Sequence, residues 1–152
     1  MEHNKEIISD LKSLISILND GKEGYTSAAE TTDNVELKAV FLEYAAQRKA
    51  YEEELKAHLL THGETSDNDS GGVLGALHRT WIDIKDALSG KDEVSILKAI
   101  ETGEQAAVEK YSKLAADYAT HSDHIALLNK QKGGVTEALA KVQSLVTKYQ
   151  NT

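Results

Sequence analysis

Apolar residues recur at helical spacing along nearly the whole chain, and none of its 152 residues is proline. Proline is excluded from helix interiors, because it lacks the amide N–H and its ring clashes with the preceding turn. Apolar residues that recur every three to four positions lie on one side of a helix. These features predict an all-α fold, and a chain of this length can bury the core of one domain, residues 1–152.

Start and stop signals divide the chain into five predicted helices. Asp33 and Glu36 form the pattern of a capping box, and Asp92 is a typical N-cap residue. Gly63 ends the second helix, as glycine commonly does. Residues 64–71 are polar and without periodicity, so they predict a linker. The predicted helices span about residues 4–32, 34–62, 72–89, 93–120 and 123–149.

Five amphipathic helices joined by short connections are typical of a helical bundle. We expect a four-helix core from residues 1–120, with an additional C-terminal helix over residues 121–152 that packs outside it or on a partner chain. Gly21, Gly24 and Ala28 share a stripe of the first helix, which indicates a close helix crossing. We therefore expect a homo-oligomer formed through helix faces.

Composition limits the classes of partner and site. The formal net charge is -8, which argues against nucleic acid or an anionic membrane as partner. The chain has no cysteine, so disulfides and thiolate metal sites are excluded. The N-terminus carries charges where a signal peptide needs an apolar run, and no apolar stretch reaches the roughly 20 residues that span a bilayer. A cytoplasmic location is expected.

Several polar residues lie on or beside the predicted apolar stripes. Glu104 falls inside the stripe of the fourth predicted helix, and Glu101 lies on its flank. Glu53 lies on an apolar face of the second predicted helix. His78 flanks the stripe of the third, at nearly the height of Glu104 if those two helices are antiparallel. A buried carboxylate must be paired, protonated or metal-bound, because a bare buried charge costs at least several kcal/mol.

Two readings of this polar layer stay open. One is a site for iron, manganese or zinc, with the ligands His78, Glu101, Glu104 and Glu53. The other needs no cofactor and is an ion-pair layer that fixes helix register, with the glutamates neutralised by Arg48, Arg79 or His78.

Two further pairs include histidine. The spacing of His121 and His124 suits either a metal site or the closing of a helix junction. Glu54 and His58 are predicted to be an exposed pair on one helix face.

Four segments together carry a family resemblance. They are Asp20-Gly21-x-x-Gly24-Tyr25, Gln47-Arg48, Gly75–Trp81 and Glu101-x-Gly103-Glu104. With these segments, residues 5–115 resemble an uncharacterised bacterial family of ferritin-like four-helix-bundle proteins. The resemblance implies a ferritin-like fold and no particular activity.

Ferritin-like proteins often carry a two-metal centre that needs a Glu-x-x-His motif on each of two helices. None of the predicted helices contains that motif, and this departure counts against iron storage and oxidase chemistry. We expect a non-enzymatic structural or interaction protein. The alternative is a metal-binding ferritin relative that uses the degenerate carboxylate and histidine site for metal storage or oxidase-like chemistry.

Overall fold

A computed structural model describes residues 2–61, 92–118 and 122–151, which form four helices without strands. The predicted linker 64–71 and the predicted helix 72–89 lie outside these residues. Within the described ranges the all-α prediction is confirmed, and no helix there is long and apolar enough to cross a membrane. The helices are α1 (Glu2–Thr31), α2 (Val35–Thr61), α3 (Glu93–Asp117) and α4 (Ser122–Gln150).

Side-chain caps fix where α2 and α3 begin. Asp92 caps α3 as predicted, since its carboxylate accepts a hydrogen bond of 2.8 Å from the Ser95 amide. The cap of α2 is Asn34 rather than Asp33, because the Asn34 side-chain oxygen accepts a 3.0 Å bond from the Leu37 amide. The capping-box prediction is therefore wrong by one residue.

The four helices pack as two antiparallel hairpins. α1 packs on α2, and α3 packs on α4. Contacts between α1 and α3 run from Asp10–Tyr118 to Tyr25–Glu104, so these two helices are also antiparallel. It follows that α2 and α3 run in the same direction across the bundle diagonal, and that α2 ends where α3 does rather than where α3 begins.

The C-terminal helix is the fourth helix of the described bundle, which corrects the prediction of an additional helix outside a 1–120 core. A polar layer at Arg48 and Glu104 divides the core into two apolar clusters, and α4 contributes to both because its apolar stripe covers the inner faces of the other helices. Its core side chains are Leu128, Val135, Val142, Leu145 and Val146.

The sequence of α2 gives this helix two apolar faces. The face with the larger side chains is the one that faces the core. Leu37, Phe41, Leu55 and Leu59 are fully buried. These side chains fill more space than the alanines of the opposite face, which is left outside. Glu53 lies on that outer face and is exposed.

Two adjacent glycines lie within the unbroken helix α4, and only one of them is required by packing. A Cβ atom at Gly134 would overlap the Tyr51 hydroxyl, whereas one at Gly133 meets nothing within 4 Å. We expect Gly134→Ala to lower the free energy of unfolding by about 1–3 kcal/mol relative to Gly133→Ala. Gly133→Ala should itself stabilise the protein by up to about 1 kcal/mol, because alanine favours helix.

Urea unfolding of both variants measures this difference, with Gly133→Ala as the matched control. Equal stabilities of the two variants would contradict the close approach of Tyr51 to α4.

Candidate functional site

The most unusual group in the described residues is a buried cluster at mid-bundle, formed by Tyr25 of α1, Arg48 of α2 and Glu104 of α3. Their exposed fractions are 0%, 1% and 0%. Glu104 takes this place because it is four residues after Ile100 and three before Ala107, both of which are core residues. Arg48 lies on the buried face of α2, between Ala45 and Leu55.

Hydrogen bonds in the cluster converge on the Glu104 carboxylate. Two nitrogens of the Arg48 guanidinium donate to the two oxygens of the Glu104 carboxylate, at 2.6 and 2.5 Å. The Tyr25 hydroxyl donates to Glu104 Oε2 at 2.6 Å. Arg48 Nε donates to the Gln47 side-chain oxygen at 3.2 Å, and the guanidinium lies over the Tyr25 ring, 5.4 Å from its centre. Both carboxylate oxygens are thus occupied by charge-assisted or hydroxyl donors.

The electrostatics of the cluster hold its protons in place. Burial raises the pKa of the Tyr25 hydroxyl well above its usual range, and the negative charge of Glu104 raises it further. For Arg48, burial acts to lower the pKa, but the adjacent Glu104 carboxylate outweighs it and the net pKa is raised. Arg48 therefore stays charged beside a neutral tyrosine.

Such a cluster is suited to fixing the register of three helices. The guanidinium fork matches the carboxylate only in one relative position of α2 and α3. The carboxylate accepts three hydrogen bonds and is 0% exposed, so a substrate in solution does not reach it, and a tyrosine with a strongly raised pKa is a poor general base at neutral pH.

The four predicted metal ligands are not brought together within the described residues. Glu104 is engaged by Arg48, Glu101 is half-buried, and Glu53 is exposed on the outer face of α2. His78 lies outside the described residues. The metal site therefore stays a prediction, while Arg48 is the neutralising partner that the ion-pair reading proposed.

In this turn of α2 the buried carboxylate belongs to Glu52, the residue before Glu53. Glu52 is 8% exposed and pairs with Lys22 at 3.5 Å and Lys56 at 3.0 Å. The prediction identified the stripe that contains Glu53 but could not tell which stripe faces inward.

A second buried polar chain, missed by the sequence analysis, is centred on Gln131 of α4. The Tyr111 hydroxyl donates to the Gln131 side-chain oxygen at 2.8 Å, and the Gln131 amide nitrogen donates to the Tyr51 carbonyl oxygen at 3.1 Å. Gln131 is fully buried. A signal was present, because Gln131 is three residues after Leu128 and four before Val135, on the apolar stripe.

Histidines from two helices meet at one end of the bundle. His58 Nε2 and His124 Nδ1 are 2.7 Å apart, with the rings nearly perpendicular. Glu54 binds Lys130 and Gln131, and its predicted pairing with His58 stays a prediction. His121, the other member of the predicted His121–His124 pair, lies outside the described residues.

Comparison with known proteins gives a family rather than an activity. No curated protein and no solved structure matches the chain significantly. A family model described as a domain of unknown function, DUF2383, matches residues 6–117. This match includes most of α1, all of α2 and α3, and the whole Tyr25–Arg48–Glu104 cluster, and the chain belongs to the DUF2383 family.

Proposed function

We propose that this chain is a non-enzymatic structural or interaction protein, a ferritin-like bundle that forms homodimers through the outer face of α2. One observation carries the proposal. The large apolar side chains that are exposed in the described residues are Val35, Leu42 and Leu60, at 82%, 51% and 63%, and all three lie on that single face.

Helix directions support the ferritin-like part of the proposal. Two antiparallel hairpins whose middle helices, α2 and α3, are parallel require one long connection between the hairpins. A four-helix bundle with one long crossover is the topology of ferritin-like folds.

The outer face of α2 is continuous enough to pack against another helix. Ala39, Ala46, Ala50 and Ala57 are exposed between the larger residues and share their stripe at a spacing of three or four. Exposed apolar surface that is contiguous and rimmed by charge is typical of protein–protein contacts. By contrast, the predicted Gly21, Gly24 and Ala28 stripe is buried inside the chain and is not available for association.

Charge on this face points to a second copy of the chain as the occupant. A two-fold interface must be complementary to itself, and the middle of the face carries one exposed base, Lys49, and one exposed acid, Glu53. In an antiparallel α2–α2 pair, Glu53 can face the partner subunit's Lys49, and the symmetry repeats the contact. The same register places Leu42 opposite the partner subunit's Leu60, so the apolar and charged contacts agree.

A charge exchange tests the dimer and its register together. We expect Lys49→Glu and Glu53→Lys each to weaken dimerisation by at least about tenfold, because each places two pairs of like charges in the interface. The Lys49→Glu/Glu53→Lys double variant restores opposite charges and should regain the affinity of the unmodified protein. Sedimentation equilibrium measures the dimer dissociation constant.

Leu42→Lys provides an independent test of the apolar contact and should abolish the dimer, while Ala140→Lys on the exposed face of α4 should leave it intact. A protein that is monomeric at every concentration would refute the proposal. A dimer that is unaffected by Leu42→Lys would place the interface elsewhere.

A further inference from the structure

The end of α2 and the start of α4 carry three potential metal ligands close together. His58 lies in the last turn of α2, and Asp123 and His124 lie in the first turn of α4. One ligand atom from each of the three residues lies within 4.8 Å of the other two. His124 is 6% exposed, and the Asp123 carboxylate lies at the surface, with Oδ2 3.9 Å from His124 Nε2.

We propose that His58, Asp123 and His124 bind one divalent transition-metal ion, and that Zn²⁺ is the ion they suit best. Two imidazole nitrogens and one carboxylate oxygen are a common three-residue ligand set for zinc, which takes a water molecule as its fourth ligand. Magnesium and calcium prefer oxygen ligands throughout, so the two imidazoles select against them.

The present spacing is close to that of a bound pair. Two nitrogens bound to one tetrahedral zinc ion lie roughly 3.3 Å apart, whereas His58 Nε2 and His124 Nδ1 are 2.7 Å apart. A separation about 0.6 Å larger, with each ring turned so that its nitrogen points at the ion rather than at the other ring, would replace the hydrogen bond with two metal–ligand bonds. The metal takes the lone pairs of both facing nitrogens, and each ring then carries its proton on its other nitrogen.

The three ligands differ in burial, and therefore in how freely their side chains can move. His124 is packed and defines the position of the site. His58 is half-buried and Asp123 is exposed, so their side chains can turn toward an entering ion. The C-terminal end of α2 adds partial negative charge beside His58 and the N-terminal end of α4 adds partial positive charge beside His124, so the two helix ends offset each other at the site.

A metal ion at this site would link the two hairpins of the bundle. α2 belongs to the first hairpin and α4 to the second, so the ion would join the two hairpins at this end of the bundle. The site is separate from the Glu104 cluster, since His58 follows Arg48 by ten residues of one helix, roughly 15 Å along its axis. A ligand that binds only the folded chain raises its melting temperature.

Zinc titration of the full chain, purified without a histidine tag, tests the site. We expect one Zn²⁺ per chain at micromolar protein and a higher melting temperature with zinc. His58→Ala and His124→Ala should each weaken binding by more than about 100-fold, and Asp123→Asn by about tenfold, since even outer-shell partners of a metal contribute 10- to 100-fold. Asp117→Asn, which removes an exposed carboxylate from α3, is the matched control and should leave zinc binding unchanged.

Circular dichroism of each metal-free variant checks that it folds, and His58→Gln repeats the test at the less buried position. Visible absorption of the Co²⁺ form supplies a direct readout, because a four-coordinate site absorbs far more strongly than aqueous Co²⁺. Absence of zinc binding overturns the proposal. So does binding that survives in both His58→Gln and His124→Ala, because the ion would then be held by other residues.

Discussion

Glu104→Ala is expected to lower the free energy of unfolding by about 3–5 kcal/mol, because it leaves the buried Arg48 guanidinium without its counter-charge. The fully buried position of both side chains is the reason for the large effect. Arg48→Met should be similarly costly, since the Glu104 carboxylate would then be the unpaired charge. Urea unfolding followed by circular dichroism measures both changes.

Two comparisons show that the loss comes from an unpaired charge. Glu109→Ala removes an exposed carboxylate from the same helix and should stay within about 0.5 kcal/mol of the unmodified protein. The triple variant Tyr25→Phe/Arg48→Met/Glu104→Leu removes the charges and the hydroxyl together. It should recover most of the stability lost in the single variants, because an apolar replacement of a buried ion pair is often neutral or better. A Glu104→Ala variant as stable as Glu109→Ala would contradict the buried pair.

This cluster shows what the sequence could and could not predict. The burial of Glu104 followed from its place on the stripe between Ile100 and Ala107, because helical periodicity is local. The residue that neutralises Glu104 could not be predicted, because the sequence offered three candidates, Arg48, Arg79 and His78. α2 also has two apolar faces, and the choice between them depends on the volume that three other helices leave to be filled. The same ambiguity led to Glu53 where the structure buries Glu52.

Contacts between helices distant in sequence were the least predictable. The ends of α1, α2, α3 and α4 were placed within three residues, since caps and periodicity act over a few positions. The predicted role of α4, an additional helix outside the core, was wrong because an amphipathic stripe shows that a helix is packed but not which helices it packs against. His58 and His124 were each noticed with a neighbour close in sequence, whereas the structure pairs them with each other across 66 positions.

Stability should fall steeply above about pH 10, because the two fully buried tyrosines, Tyr25 and Tyr111, keep their protons in the folded protein. Burial raises the pKa of both Tyr25 and Tyr111 far above the ordinary value of about 10. Below pH 10 the hydroxyls are protonated in both states, so they add no pH dependence. Above it the unfolded chain releases these protons and the folded chain does not, which favours unfolding.

Each such tyrosine adds a slope that approaches about 1.4 kcal/mol per pH unit, so the two together approach about 2.7. Urea unfolding between pH 8 and 11 measures the slope, which should be smaller by that amount in Tyr25→Phe/Tyr111→Phe. The comparison uses slopes because the substitutions also remove hydrogen bonds at every pH. Lys113, Lys130 and Lys148 have pKa values raised by their carboxylate partners and add a slope of the same sign, which both proteins share. Equal slopes in the two proteins would mean that the hydroxyls ionise alike in the folded and unfolded chains, and that water reaches the bundle core.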